Sequence, residues 1–239
     1  MTKKILDQNM SYKEELLNSI EPNFIFSKKP IDRFKSPKAK SDNKDIKKSA
    51  QITELKKLIN SIQNCNLKNN SQNLILGEGD LDSPIMIIGE SPGLEEEKTG
   101  KIFQGDSGKL LEKMLLAINL ERKKVYFSYA INFRTPEDRK PTSQEIKRYS
   151  IFLKEHITII DPKVIILFGS TAMESIISSN ERISNERGNW KEIILKNKTY
   201  PVMITFSPSY LIRFPENKKF AWEDLKKIRQ KIQDLNIKI

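Results

Sequence analysis

The chain has 239 residues, and its 42 Lys and Arg outweigh 31 Asp and Glu to give a net charge of +11 at pH 7. That balance favours a polyanionic partner such as nucleic acid without saying which one. One cysteine, Cys65, excludes an intramolecular disulfide and an all-cysteine metal cage, and one histidine, His156, excludes catalytic schemes that need two. No apolar run approaches the ~18 residues of a membrane span, and the start, MTKKILDQNM, has no apolar stretch that reads as a secretory signal. The chain therefore reads as soluble and cytoplasmic.

In chain order, Tyr12–Ile20 predicts a short helix with Leu16, Leu17 and Ile20 on one face, and with Phe24 and Phe26 it could form a docking peptide. Lys28–Lys48 holds nine Lys or Arg, three Asp and almost no apolar residue. Such a stretch cannot bury enough surface to offset its ordering entropy. It reads as a basic disordered linker, either a tether for nucleic acid or merely solvated. Residues 1–49 are accordingly expected to be an arm, and residues 50–239 the folded domain. From Ala50, Ile52, Leu55, Ile59 and Ile62 recur at helical spacing.

Pro84–Ile88 is an apolar run that reads as a buried strand. Ser107–Leu120 reads as a helix, Val125–Ile131 as a strand. Thr142 and Glu145 form a T-x-x-E box before a helix reaching about Thr158. Lys163–Phe168 reads as a strand and Thr171–Ile177 as a helix. Glu192–Leu195 and Pro201–Phe206 are strands around a turn, and Phe220–Leu235 is a helix. Strands alternating with helices predict an α/β fold with a mostly parallel sheet between helical layers.

In such folds ligands bind on the loops that follow the strands. The first loop, GESPGLEEEKTGKIFQGDSG, matches neither common phosphate-binding glycine motif. Glu90 directly follows a strand, which would hold its carboxylate at a pocket mouth. Phe103, among glycines and polar residues, could stack on a planar base or plug the loop onto the core. Glu95, Glu96 and Glu97 read as a solvated helical turn rather than a metal site. In the last loop, SPSYLIRFP, Ser207, Ser209 and Arg213 could contact an anion, while Tyr210 and Leu211 read as core anchors.

Taken together, GESPG–EEEKTGKIFQGDSGKLL, FRTPEDRKPTSQE, RGNW and SPSYLIR–ENKKFAWEDL resemble the family 4 uracil-DNA glycosylases, in order, over about Leu74 to Leu235. The resemblance implies a three-layer α/β sandwich around a mostly parallel four-stranded sheet, and removal of uracil from DNA. It gives Glu90 the catalytic role of steadying the sugar cation or aiding the attacking water, and Phe103 the role of stacking on uracil. Gly89 belongs to the base pocket, with Ser91, Pro92 and Gly93 shaping the loop that meets DNA. Ser209 and Arg213 fall in the loop that pinches DNA. His156 falls on a scaffold helix and reads as structural.

The departures are specific. The family's uracil-reading Asn falls at Tyr129, whose phenol offers one hydroxyl where an amide offers a donor and an acceptor. Asn132, three residues on, would point to the opposite face of a strand. The family's His in the last motif falls at Ser207, a shorter and weaker donor, and losing such a donor costs on the order of 10²–10³ in rate. The four cysteines that hold the family's iron–sulfur cluster fall at Ile62, Cys65, Phe133 and Tyr149. One thiolate cannot hold a cluster that takes four, so no cofactor is expected, and the four side chains are expected to pack together. Two functions stay open: a monomeric glycosylase acting on uracil or a related base, and a catalytically weak or inactive relative that binds DNA. RNA binding is permitted by charge alone.

Overall fold

The computed structural model describes residues 41–177 and 181–237. The helix expected at Tyr12–Ile20, the segment with Phe24 and Phe26, and the basic stretch as far as Lys40 lie outside the described residues. Helix α1 (Ser41–Asn60) begins upstream of Ala50, so the expected arm boundary falls inside it. Lys48, counted in the basic stretch, is buried. Its ammonium donates to the carbonyls of Leu81 (2.8 Å) and Ile160 (2.9 Å) and pairs with Asp82 at 2.6 Å. A lysine can be buried when all three of its donors find oxygen, as here.

The sheet contains six strands: β1 (Gly77–Glu78), β2 (Ile85–Gly89), β3 (Tyr126–Tyr129), β4 (Val164–Phe168), β5 (Trp190–Leu195) and β6 (Lys198–Thr205), in the order β1-β3-β2-β4-β6-β5. β3, β2, β4 and β6 are mutually parallel, while β1 and β5 pair antiparallel at the edges. The implied four-stranded sheet is thus the centre of a wider mixed one. Edge strand β5 joins β6 through Lys196 and Asn197, both at positive φ (45° and 65°), the geometry of a two-residue hairpin turn.

Alternation along the central strands divides the core. Ile85, Ile87, Ile166 and Phe168 face one layer with α4 (Gly105–Leu116), the short α7 (Ile183–Glu186), α8 (Pro208–Arg213) and α9 (Lys218–Asp234). Met86, Ile88, Ile165 and Leu167 face the other layer, with α5 (Ser143–Ile160) and α6 (Ser170–Ile177). Both faces of β2 and β4 are covered, which is why they read as unbroken apolar runs. A satellite cluster joins α1 and the short α2 (Asn66–Asn69) to the base of α5. Helix α5 starts on the Thr142–Glu145 box, with Thr142 Oγ1 accepting from Glu145 N–H and Glu145 Oε2 accepting from Thr142 N–H. His156 of α5 is buried, with Tyr126 Oη at 2.9 Å and Ser128 Oγ at 3.2 Å from its two ring nitrogens. This is the structural role expected of it. No helix among the described residues is long and apolar enough to cross a membrane.

Candidate active site

The four parallel strands end on one side of the sheet, and their following loops enclose a cavity of about 500 Å³. Gly89, Glu90, Ser91, Pro92, Gly93, Phe103, Tyr129, Ser207, Ser209 and Arg213 all line it. Every site residue expected from the sequence therefore meets at one place. Asn132 instead points into the scaffold, where it is buried and donates to the Ile75 carbonyl at 3.1 Å.

Glu90 leaves the tip of β2 and lies across the tip of β4. Its Oε1 accepts from Thr171 N–H (3.1 Å) and Ser170 Oγ–H (3.4 Å) at the start of α6. The crossing needs Gly169, whose φ is +99° and where a Cβ would come within 2.3 Å of Glu90 Cδ.

The first loop is folded around an acid that the sequence reading leaves in solvent. Glu95 is exposed, but Glu96 and Glu97, both in α3 (Leu94–Thr99), are buried. Glu96 accepts from Gly93 N–H (3.0 Å), Gln104 N–H (3.0 Å) and Tyr129 O–H (3.3 Å), closing the two arms of the loop on each other. Glu97 accepts from Ser71 Oγ–H, Gln72 N–H and Arg134, tying the same helix to the segment after α2. Burial pushes the Glu97 carboxyl up, but these donors outweigh it and hold it below its ordinary value. The solvated turn is corrected for two of its three residues: consecutive helical positions point about 100° apart, and here only one of the three directions is open.

Phe103 sits at φ +48° and is buried, its ring centroid 5.0 Å from that of Tyr129 and 5.7 Å from that of Phe127. It plugs the loop onto the core, as one of its two sequence readings has it, and also lines the cavity. Gly89 makes room for this pair, since a Cβ there would meet Phe103 Cζ at 2.7 Å and Tyr129 Cδ1 at 2.8 Å. The Tyr129 hydroxyl accepts from Phe103 N–H (3.0 Å) while donating to Glu96. Burial, reinforced by the Glu96 charge, raises its pKa well above the ordinary phenol value, so it stays protonated.

On the far wall, Ser207 is buried and caps α8, its Oγ accepting from Tyr210 N–H at 3.4 Å and lying 3.1 Å from Ser209 Oγ. The strand that leads to it is fixed from below. Fully buried Asp224 of α9 pairs with Arg187 and accepts from Thr205 Oγ1–H at 2.7 Å. This accounts for Arg187 and Gly188 in RGNW: at Gly188, φ +72°, a Cβ would press on Asp224 Oδ1. Burial raises the Asp224 pKa, against the pull of Arg187. The segment between β3 and α5 adds Arg139 and Lys140 to the cavity rim. Arg139 is held bidentate by Glu145 at 2.7 and 2.9 Å, and the guanidinium pulls that carboxyl down to about 2. Neither basic residue was singled out from sequence, although the box that anchors Arg139 was legible.

Ile62, Cys65, Phe133 and Tyr149 come together in the satellite cluster. Cys65 Sγ lies 3.2 Å from Tyr149 Oη, and the Phe133 and Tyr149 rings meet edge to face at 6.2 Å. One thiol, one phenol and two hydrocarbon side chains are not the four thiolates an iron–sulfur cluster takes; the residues do not fit that group.

Fold and cavity define an α/β protein with a cleft of about 500 Å³ at the carboxyl edge of its parallel strands. Residues 76–226 match the model of the uracil DNA glycosylase superfamily. The type-4 uracil-DNA glycosylase of Thermotoga maritima is 37% identical over 172 residues, 71% of this chain and 88% of that one. The type-4 enzyme of Sulfurisphaera tokodaii is 34% identical over 187 residues, covering 75% and 84%. The chain belongs to the uracil-DNA glycosylase superfamily.

Proposed function

We propose that this protein is a DNA-repair glycosylase that hydrolyses the N-glycosidic bond of uracil, or of a related damaged base, in DNA. The observation that carries the reading is the placement of the Glu90 carboxylate and the Phe103 ring on one cavity of about 500 Å³, within the size range of small-ligand pockets. A nucleotide flipped from the stack would lay its base on Phe103. The sugar would then reach the strand tips, where the negative Glu90 steadies the positive charge that grows as the bond to the base breaks. The departing base carries the electron pair. Ser207 Oγ accepts from Tyr210 N–H, and with Ser209 as the donor of the Ser207–Ser209 pair its own proton is left for that base. Ser91, Pro92, Gly93, Ser209 and Arg213 take the DNA backbone. The protein works as a monomer, in the cytoplasm, without an iron–sulfur cluster.

A second reading is a DNA-binding relative with little or no activity. It is favoured by the Tyr129 hydroxyl, which is bonded internally on both sides and so has no donor left to read a base edge. Single-turnover cleavage of uracil-containing single- and double-stranded DNA separates the two. The glycosylase reading expects an abasic product from the wild type and a loss of about 10²-fold or more in Glu90→Ala. No abasic product over hours at excess enzyme decides for the silent binder.

A further inference from the structure

Phe103 holds a backbone conformation that residues with a side chain rarely adopt, at φ +48°. Such a conformation persists only where its surroundings over-determine it. Ile102, the residue before it, is buried and held on both sides from outside the loop. Glu78 of β1 accepts from its N–H at 3.3 Å. Arg122, in the single turn Arg122–Lys124 that leads into β3, donates through Nη2 to its carbonyl at 2.7 Å. Gln104 Nε2 also reaches that carbonyl, at 2.9 Å, but belongs to the loop and moves with it. Arg122 has acids close by and does not turn its fork onto them, as a guanidinium placed for ion pairing would. It stands 3.9 Å from the Glu78 carboxylate and 3.7 Å from that of Glu112. Its one hydrogen bond among the described residues goes to Ile102, and Nη1 has no hydrogen-bond partner among them. The guanidinium also lies over the Phe127 ring, 4.8 Å from its centroid, and that ring meets Phe103 edge to face at 5.7 Å.

We propose that Arg122 is a positioning residue: together with Glu78 it clamps Ile102 and so sets where the Phe103 ring stands in the base pocket. The inference rests on the glycosylase reading and deepens it. Arg122 is not among the residues that line the cavity, so it acts through Phe103 and not on the nucleotide. The lever is one peptide group. The Ile102 carbonyl and the Phe103 N–H are the two ends of a single rigid plane. Arg122 holds the first end and the Tyr129 hydroxyl the second, at 3.0 Å. With both ends held the plane cannot tilt, and the rotation about the Phe103 N–Cα bond carries the ring to one place. With Arg122 gone the plane pivots on Tyr129, and the ring moves with it. A displacement of about 1 Å, caused far from the chemistry, can slow an enzyme about 10²-fold. A base stacked on a wandering ring presents its bond to the sugar in the wrong place, while the contacts to the DNA backbone stay as they were.

The test is single-turnover cleavage of uracil-containing single-stranded DNA by Arg122→Met and Arg122→Lys, with Arg122→Met also made in a Phe103→Leu background and urea unfolding measured on the same samples. Arg122→Met is expected to slow the maximal rate about 10- to 100-fold at an unchanged half-saturating concentration. Arg122→Lys keeps a charged donor for the carbonyl and should stay within about threefold of the wild type. In Phe103→Leu no ring remains to be placed, so adding Arg122→Met should slow cleavage less than about twofold further, the non-additivity of two groups that act through one another. A wild-type rate in Arg122→Met overturns the proposal, as does equal slowing in both backgrounds or a loss that Arg122→Lys does not restore. Should Arg122→Met fail to fold, Glu78→Ala, which frees the other side of Ile102, takes its place in the same comparison. Should Phe103→Leu cleave too slowly to time, the split between rate and half-saturation, with the lysine rescue, decides. A wild type without activity overturns both this inference and the reading beneath it, whereas an active wild type indifferent to Arg122 overturns this one alone.

Discussion

At the scale of single residues the site is organised by what each hydrogen bond leaves over. Tyr129 stands at the base pocket, but its hydroxyl is spent on Phe103 N–H and Glu96. What it offers a base is a ring face and bulk. Tyr129→Phe keeps the ring and removes the bridge. It leaves a buried amide unpaired and takes one of three donors from Glu96, a loss of about 1–3 kcal/mol. Urea unfolding should show that loss as a lower midpoint at unchanged slope, and a midpoint equal to wild type would mean that the loop closes without the bridge. Glu90, Phe103, Ser207 and the glycines around them could be found from the sequence because strand ends and loop motifs mark them. Glu96 could not. An acid in a run of three looks the same in sequence whether solvent or a shell of buried donors faces it.

At the scale of elements, legibility followed burial. β2 and β4 are covered on both faces and announce themselves as apolar runs, whereas β1 has two residues and depends wholly on its pairing with β3. The first turns of α1 are rich in Lys and Asp, which reads as linker; burial of the Lys48 head group against two carbonyls and Asp82 is invisible to composition. Helix α5 carries a further consequence. Burial pushes the His156 pKa down to about 3, below the ~6.5 of an exposed histidine. Between those values the unfolded chain binds a proton that the folded chain refuses. Stability is therefore full above pH 6.5 and falls as pH drops toward 3, by up to about 1.4 kcal/mol per pH unit from this group. His156→Gln removes the titrating group. Denaturation at pH 7 and pH 5 should show the variant losing less stability than the wild type between those pH values. Equal losses would mean that His156 is not held neutral by its burial.

At the scale of the whole molecule, positive charge and packing share the chain unevenly. Residues 1–40 hold nine Lys or Arg against five Asp or Glu. The helix that follows is fastened to the domain through Lys48, so a cut meant to remove the arm belongs before Ser41 and not at Ala50. The two cuts predict different losses. Removing residues 1–40 takes away cations that can each displace a counterion from DNA, and the salt dependence of binding should flatten by about 0.7–0.9 in log–log slope for each phosphate that the arm would have neutralised. Removing residues 1–49 also takes Lys48, whose ammonium is the donor to the buried Leu81 and Ile160 carbonyls, and should lower stability by about 1–3 kcal/mol besides. Titrating both truncations against single-stranded DNA at several salt concentrations, with urea melts alongside, separates the arm's electrostatics from the scaffold's anchoring. A salt slope untouched by the shorter cut would make the arm a bystander in DNA binding, and equal melts for the two cuts would make the buried lysine dispensable to the fold.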